Sequence, residues 1–179
     1  IERCANALSV QAAEAYVRKD YAAAAQLWTQ AIELHPAGAA PAALYVNRAG
    51  AYGDLGEHEK ALQDADRAVL LEPEKSNVHF NRGTALYGMC VRGDDRIDEA
   101  RAACRRALQL DPSNASAKAS LQALKAEREA RHEAAVAAER QRKAERKAQR
   151  KAAVAAKHAD ADAAGDEPEP KRWPDPDPN

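Results

Sequence analysis

The side chains that carry most protein chemistry are present in this chain but do not converge. Its five histidines, His35, His58, His79, His132 and His158, do not pair at metal-ligand spacing, and His132-Glu133 lacks the second histidine of a zinc-protease helix. The three cysteines, Cys4, Cys90 and Cys104, are an odd number with no metal spacing. They read as free thiols in a reducing compartment. Asp94 and Asp95 lack the further oxygen ligands that calcium needs. The glycines are too few and too dispersed to cradle a phosphate. Nothing favours a Ser/His/Asp or Cys/His set, so no enzyme, metal or cofactor is expected. Asn114-Ala115-Ser116 matches a glycosylation triplet, but the free thiols argue against a secretory route.

What remains is the chemistry of binding. One group is a run of cations: Arg140, Arg142, Lys143, Arg146, Lys147, Arg150 and Lys151. Three readings stand open for it. It can be a solvated helical extension, a contact for RNA, ribosome or another polyanion, or a nuclear-import or acidic-partner site. No aromatic residue interleaves with these cations, which argues against stacking on single-stranded bases. The other group is asparagine, whose amide offers both donors and an acceptor to a peptide backbone.

The elements that must position these groups follow from composition and charge. Hydrophobic residues make up 45% of the 179 residues, mostly alanine, and aromatic residues only 4%. Such small side chains favour helices packed closely together over a compact core of large residues. Strand formers are sparse, so an all-α chain is expected. The net charge of −1 hides three regions. Residues 1–124 carry 14 Lys/Arg against 16 Asp/Glu, residues 125–158 carry 11 against 5, and residues 159–179 carry 2 against 7. A near-neutral body, a basic helix and an acidic tail are the expected order. There is no apolar run long enough to span a membrane. The chain begins with Ile1 rather than Met, so it is expected to start inside a longer product or to have been trimmed.

Alanines and prolines recur in register. Ala24, Ala61 and Ala100 each stand 12 residues before a proline, at Pro36, Pro73 and Pro112, and Ala31, Ala68 and Ala107 each stand 5 before the same prolines. The segments "AIELHP", "AVLLEP" and "ALQLDP" match one another. Upstream, Ala12 and Ala49 stand 12 before Ala24 and Ala61, while Gly83 stands 17 before Ala100. A fixed period of this size marks stacked repeats. Each proline stops its helix, since it cannot donate a hydrogen bond and disfavours helix in the residue before it. Gly56 suits the turn between two helices. The extra length in the third copy is expected as a longer turn in "GMCVRGDDRID".

Position by position the copies read Leu8, Gln11-Ala12, Ala15, Ala24, Trp28, Ala31, Pro36; Tyr45, Arg48-Ala49, Tyr52, Ala61, Ala65, Ala68, Pro73; and His79, Arg82-Gly83, Leu86, Ala100, Cys104, Ala107, Pro112. This pattern resembles the tetratricopeptide repeat, a pair of antiparallel helices repeated in a solenoid. The expected fold is an all-α solenoid of helical hairpins with a long C-terminal charged helix. Its three pairs are expected at about 5–36, 42–73 and 76–112. A capping helix would follow over 113–158, started by Ser113 or Asn114 and covering the last repeat with Leu121 and Leu124, and would run on into the basic extension. Residues 159–179, acidic and rich in proline, are expected to be disordered, with Trp173 as their one apolar anchor. Alanines from Ala130 to Ala155 at steps of three and four offer a narrow seam for a coiled coil.

The resemblance also implies a site. In that family the first helices of the repeats line a concave groove in which an extended peptide lies. The groove-facing residues would be Asn6, Ser9, Val10 and Ala13; Ala43, Val46, Asn47 and Gly50; and Asn77, Phe80, Asn81 and Thr84. One subfamily grips a chaperone's C-terminal carboxylate with a clamp of Lys, Asn and Arg. Here Asn47 matches that clamp, but Ser9, Ala13, Asn77 and Asn81 stand in for its other members. Arg48 and Arg82 are each one residue off register and would point about 100° away. The implied function is a protein-binding adaptor or co-chaperone-like scaffold in the cytoplasm, with the nucleus open. The alternative is a structural subunit of a larger, RNA-containing assembly, anchored by the basic helix.

Overall fold

The computed structural model describes residues 2–164, with side chains through residue 156. Trp173 and the proline-rich part of the tail therefore lie outside the described residues. Among the described residues there are seven helices and no strand: α1 Glu2–Val17, α2 Tyr21–Glu33, α3 Ala42–Asp54, α4 His58–Leu71, α5 Ser76–Val91, α6 Ile97–Leu110 and α7 Ala115–Ala164. None is long and apolar enough to cross a membrane. The described residues divide into two units, one up to residue 130 and one from residue 131 on.

In the first unit the helices pair as α1 with α2, α3 with α4 and α5 with α6, and α2 and α4 each pack on the following pair. The periodic alanines explain why. Ala24, Ala61 and Ala100 are buried, and so are Ala31, Ala68 and Ala107. With only a methyl group at these positions, helix backbones approach closely. Gly83 goes further: a Cβ there would lie 2.7 Å from Cys104 Sγ and 3.3 Å from the Ala100 carbonyl oxygen. The larger side chains fall into two clusters. Trp28, Leu44, Tyr45 and Val78 anchor one, and Leu62, Leu86, Cys90, Ile97 and Leu124 the other. Leu124, with Leu121 packed beside it, covers the third pair with apolar surface from α7.

The three hairpin turns close alike. After α1, α3 and α5 a residue in the left-handed region ends the helix: Lys19 at φ 64°, Gly56 at φ 76° and Gly93 at φ 104°. The next amide then reaches back to an earlier carbonyl, from Asp20 to Ala15 at 2.9 Å, from Glu57 to Tyr52 at 2.8 Å and from Asp94 to Met89 at 3.2 Å. In the first turn Asp20 also caps α2 by accepting from the Ala23 amide at 3.1 Å.

Two expectations need correction. The extra residues of the third copy do not all enter the turn. Helix α5 has 16 residues against 13 in α3, so three of the added residues lengthen the helix and the rest lengthen the turn. "GMCV" contains no proline to stop the helix, and Cys90 is fully buried, which holds the added turn in place. At the other end, α7 passes the expected boundary at 158 and runs to Ala164. The residues between, Ala-Asp-Ala-Asp-Ala-Ala, contain no breaker before Gly165. Helix α7 starts from Asn114, whose Oδ1 accepts from the Ala117 amide at 2.9 Å and whose Nδ2 donates to Ser76 Oγ at 3.0 Å.

Candidate functional site

Helices α1, α3 and α5 bring small and polar residues to a series of depressions in the first unit. One, of about 340 Å³, is lined by Ala13, Tyr16, Val17, Trp28, Val46, Asn47, Gly50 and Asn81. A second, of about 460 Å³, shares Tyr16, Gly50 and Asn81 and adds Phe80, Thr84, Gly53, His58, Gly88, Val91 and Arg92, among others. Asn47, Gly50 and Asn81, which the repeat register made equivalent or adjacent, therefore line one depression. Val46, Phe80 and Thr84 belong to it or to its neighbour. Asn6 and Ser9 line a separate depression of about 290 Å³ with Ala43 and Leu44. Asn77 lines none of the three; its carbonyl accepts a hydrogen bond from Asn81 Nδ2 at 2.9 Å.

The amides differ in what they have free. Asn47 is exposed, and its side chain is bonded to none of the described residues. Asn81 uses one N–H on Asn77 and keeps its amide oxygen as an acceptor. Thr84 donates to the Phe80 carbonyl at 3.1 Å, so its methyl group and the acceptor side of its hydroxyl are left to meet a neighbour. Below them Trp28 is buried, and its indole N–H has no acceptor among the described residues.

The arginines next to the asparagines are already used. Arg48 forms a two-pronged pair with the buried Asp64, Nε to Oδ2 and Nη2 to Oδ1, both at 2.7 Å, and gives a third bond to Thr29 Oγ1 at 3.0 Å. Its guanidinium lies 5.8 Å from the ring centres of both Tyr45 and Tyr52. The bond to Asp64 holds its pKa above the ordinary arginine value, against the opposing effect of burial. Arg82 donates to Asp66 at 2.6 Å and lies 4.0 Å from Glu99. These pairs tie α3 and α5 to the flanking second helices.

Three features of the site gave no sequence signal. Tyr16 donates its hydroxyl to Asp54 Oδ2 over 2.5 Å, joining the ends of α1 and α3. The His58 ring lies against the α5 backbone at Gly88, where an added methyl group would overlap it. Arg92, just past the lengthened α5, donates to the Gly56 carbonyl at 2.9 Å. All three join residues 30 or more positions apart in sequence.

The cations singled out in the sequence, Arg140, Arg142, Lys143, Arg146, Lys147, Arg150 and Lys151, are all exposed on α7 within the second unit. Lys143 pairs with Glu139 at 2.7 Å along the helix. Among the described residues no group of histidine, cysteine and acidic side chains is arranged to hold a metal ion. Cys104 is fully buried, and burial pushes its thiol pKa up to about 11.

The sequence pattern of the tetratricopeptide repeat matches residues 42–75 and 85–114. The chain is 31% identical to the tetratricopeptide repeat domain of Arabidopsis OM64, with a TM-score of 0.61, over 68% of this chain and 94% of that one. It is 27% identical to the second such domain of human RPAP3, solved in complex with the HSP70 peptide SGPTIEEVD, with a TM-score of 0.62 over 69% and 97% of the two chains. It is 32% identical over 121 residues to small glutamine-rich tetratricopeptide repeat-containing protein 2 of Mycosarcoma maydis, which is 68% of this chain and 32% of that protein. The chain spans about a third or less of the curated relatives it matches.

Proposed function

The chain belongs to the tetratricopeptide repeat family, and from that premise we propose that it is a protein-binding adaptor that holds an extended segment of a partner along α1, α3 and α5. The observation that carries this reading is the shared depression of Asn47, Gly50 and Asn81. Two amides from the first helices of successive pairs, α3 and α5, stand beside a glycine that leaves room for a backbone. A peptide lying there exchanges its N–H and C=O groups with them, as water otherwise would. The solved complex of the RPAP3 domain with a peptide supports the same mode of use. The role is binding rather than catalysis, and a co-chaperone-like one suits the relatives. The free cysteines suit a reducing, cytoplasmic setting.

The test is a titration with a partner recovered by crosslinking and mass spectrometry. Replacing Asn47 and Asn81 together by alanine is expected to weaken binding by about 1–3 kcal/mol, because peptide groups lose their partners. The thermal midpoint should hardly move, since the Asn47 amide is exposed and supports no core. Unchanged affinity would exclude the groove. A second reading, contact with a polyanion such as RNA, rests on the exposed cations from Arg140 to Lys151 and is independent of the groove.

A further inference from the structure

We propose, building on the groove reading above, that the cavity between α3 and α5 receives one bulky apolar side chain from an internal, extended segment of another protein, without use of that segment's terminal carboxylate. The cavity, about 460 Å³, is of the size that holds a ligand group. Gly50 and Gly53 keep it open, Gly88 admits the His58 ring against α5, and Phe80, Tyr87 and Val91 give it an apolar wall. At Gly53 an added Cβ would meet no atom within 4 Å. Val91, on the added length of α5, is 66% exposed, and Val17 in the adjoining depression is 81% exposed. Apolar surface of this kind, left in water, gains by covering with another apolar group. The insertion that sets the third copy apart in sequence thus adds Val91 to the cavity's apolar wall.

Charge decides between an apolar occupant and an acidic one. Of the charged residues lining the cavity, Asp54 accepts the Tyr16 hydroxyl and Arg92 donates to the Gly56 carbonyl. The adjoining depression is lined by no charged residue. The guanidinium groups nearest the clamp register, Arg48 and Arg82, are held by Asp64 and Asp66. A terminal carboxylate moved here from water would lose hydration and meet the Asp54 charge, and the lining cation Arg92, bonded to a neutral carbonyl, does no more than offset that charge. A neutral segment with a large aliphatic or aromatic residue meets none of these costs.

The full chain is panned against two displayed libraries of random short peptides, one flanked by carrier on both sides and one ending in a free carboxylate. The two-sided library is expected to yield binders that share a bulky apolar position. For a synthetic binder with both ends blocked, Gly53→Leu is expected to lower affinity about tenfold or more by filling the cavity. Its thermal midpoint should hold or rise, because leucine outranks glycine in a helix and meets open space. Val91→Asp, at an exposed position, is expected to act in the same direction. Binders from the free-carboxylate library alone overturn the proposal, as does a two-sided binder indifferent to Gly53→Leu and Val91→Asp. If that binder still weakens with Asn47→Ala and Asn81→Ala, the groove stands and only the cavity assignment fails. Indifference to all four, or no binder from either library, sinks both readings. Self-association of the chain that Gly53→Leu abolishes would give the cavity to a second copy and also overturn the proposal.

Discussion

Tyr16 shows how one side chain joins repeats and reports on them. It sits in the last turn of α1, packs 5.9 Å from Trp28, and donates its hydroxyl to Asp54 at the end of α3. That bond, then burial, then the nearby negative charge of Asp54, push its pKa up from 10.0 to about 12. In the unfolded chain the phenol loses its proton near its ordinary value, whereas the folded chain holds it longer. Stability from Tyr16 is therefore fully present below pH 10 and is lost as pH rises toward 12. Tyr16→Phe should cost about 0.5–1.5 kcal/mol near neutral pH, through loss of the hydrogen bond. It should also remove this residue's share of the alkaline loss, read from denaturant midpoints on either side of pH 10. An unaltered alkaline slope would show that the bond does not form in solution. None of this was visible in the sequence, because Tyr16 and Asp54 lie 38 residues apart and belong to no shared motif. Asn47 and Asn81 were visible because they repeat in register. Asn77 was placed beside them by family pattern, and it lines none of the three depressions described above.

At the scale of the helix, register is the feature sequence states most clearly. The threefold spacing of alanine and proline gave the helix pairs because each small residue marks a close approach and each proline marks an end. Ala61 is buried between helices, whereas Ala144 is exposed on α7. Ala61→Leu is thus expected to destabilise by about 1–3 kcal/mol, since an overfilled contact forces neighbouring helices apart. Ala144→Leu should leave stability nearly unchanged. Denaturant unfolding of the two variants measures both, and equal losses would mean that the helix register is wrong. What the sequence did not state was the division of the added residues between α5 and its turn. Helix propensity misplaces the end, since α5 passes Gly88, the weakest helix former of "GMCV", and continues to Val91; burial of Cys90, a tertiary fact, favours the longer helix. Lys19 is a similar case. It occupies a left-handed position that glycine fills in the other two turns, so a rule based on glycine alone overlooks that turn.

Over the whole chain, charge is partitioned as sharply as structure. Residues 1–124 are close to neutral, while residues 125–158 carry 11 Lys/Arg against 5 Asp/Glu. The groove lies in the first unit and the cations from Arg140 to Lys151 in the second. Binding at the two places should therefore respond differently to salt. A neutral peptide in the proposed groove would be held by hydrogen bonds to the asparagine amides and by apolar burial, which screening hardly weakens. A polyanion on α7 is held by displacing counterions, so its affinity should fall linearly on a logarithmic salt scale by about 0.7–0.9 per phosphate neutralised. Replacing Arg146, Lys147, Arg150 and Lys151 with glutamine removes up to four such contacts while keeping a strong helix former at each site. The expected result is a shallower salt slope for a single-stranded RNA oligonucleotide and an unchanged affinity for the groove peptide. If the oligonucleotide binds with no salt dependence, or equally well after the four replacements, α7 is a solvated extension. If the replacements weaken the groove peptide as well, the two units act together and the partition drawn from charge does not hold.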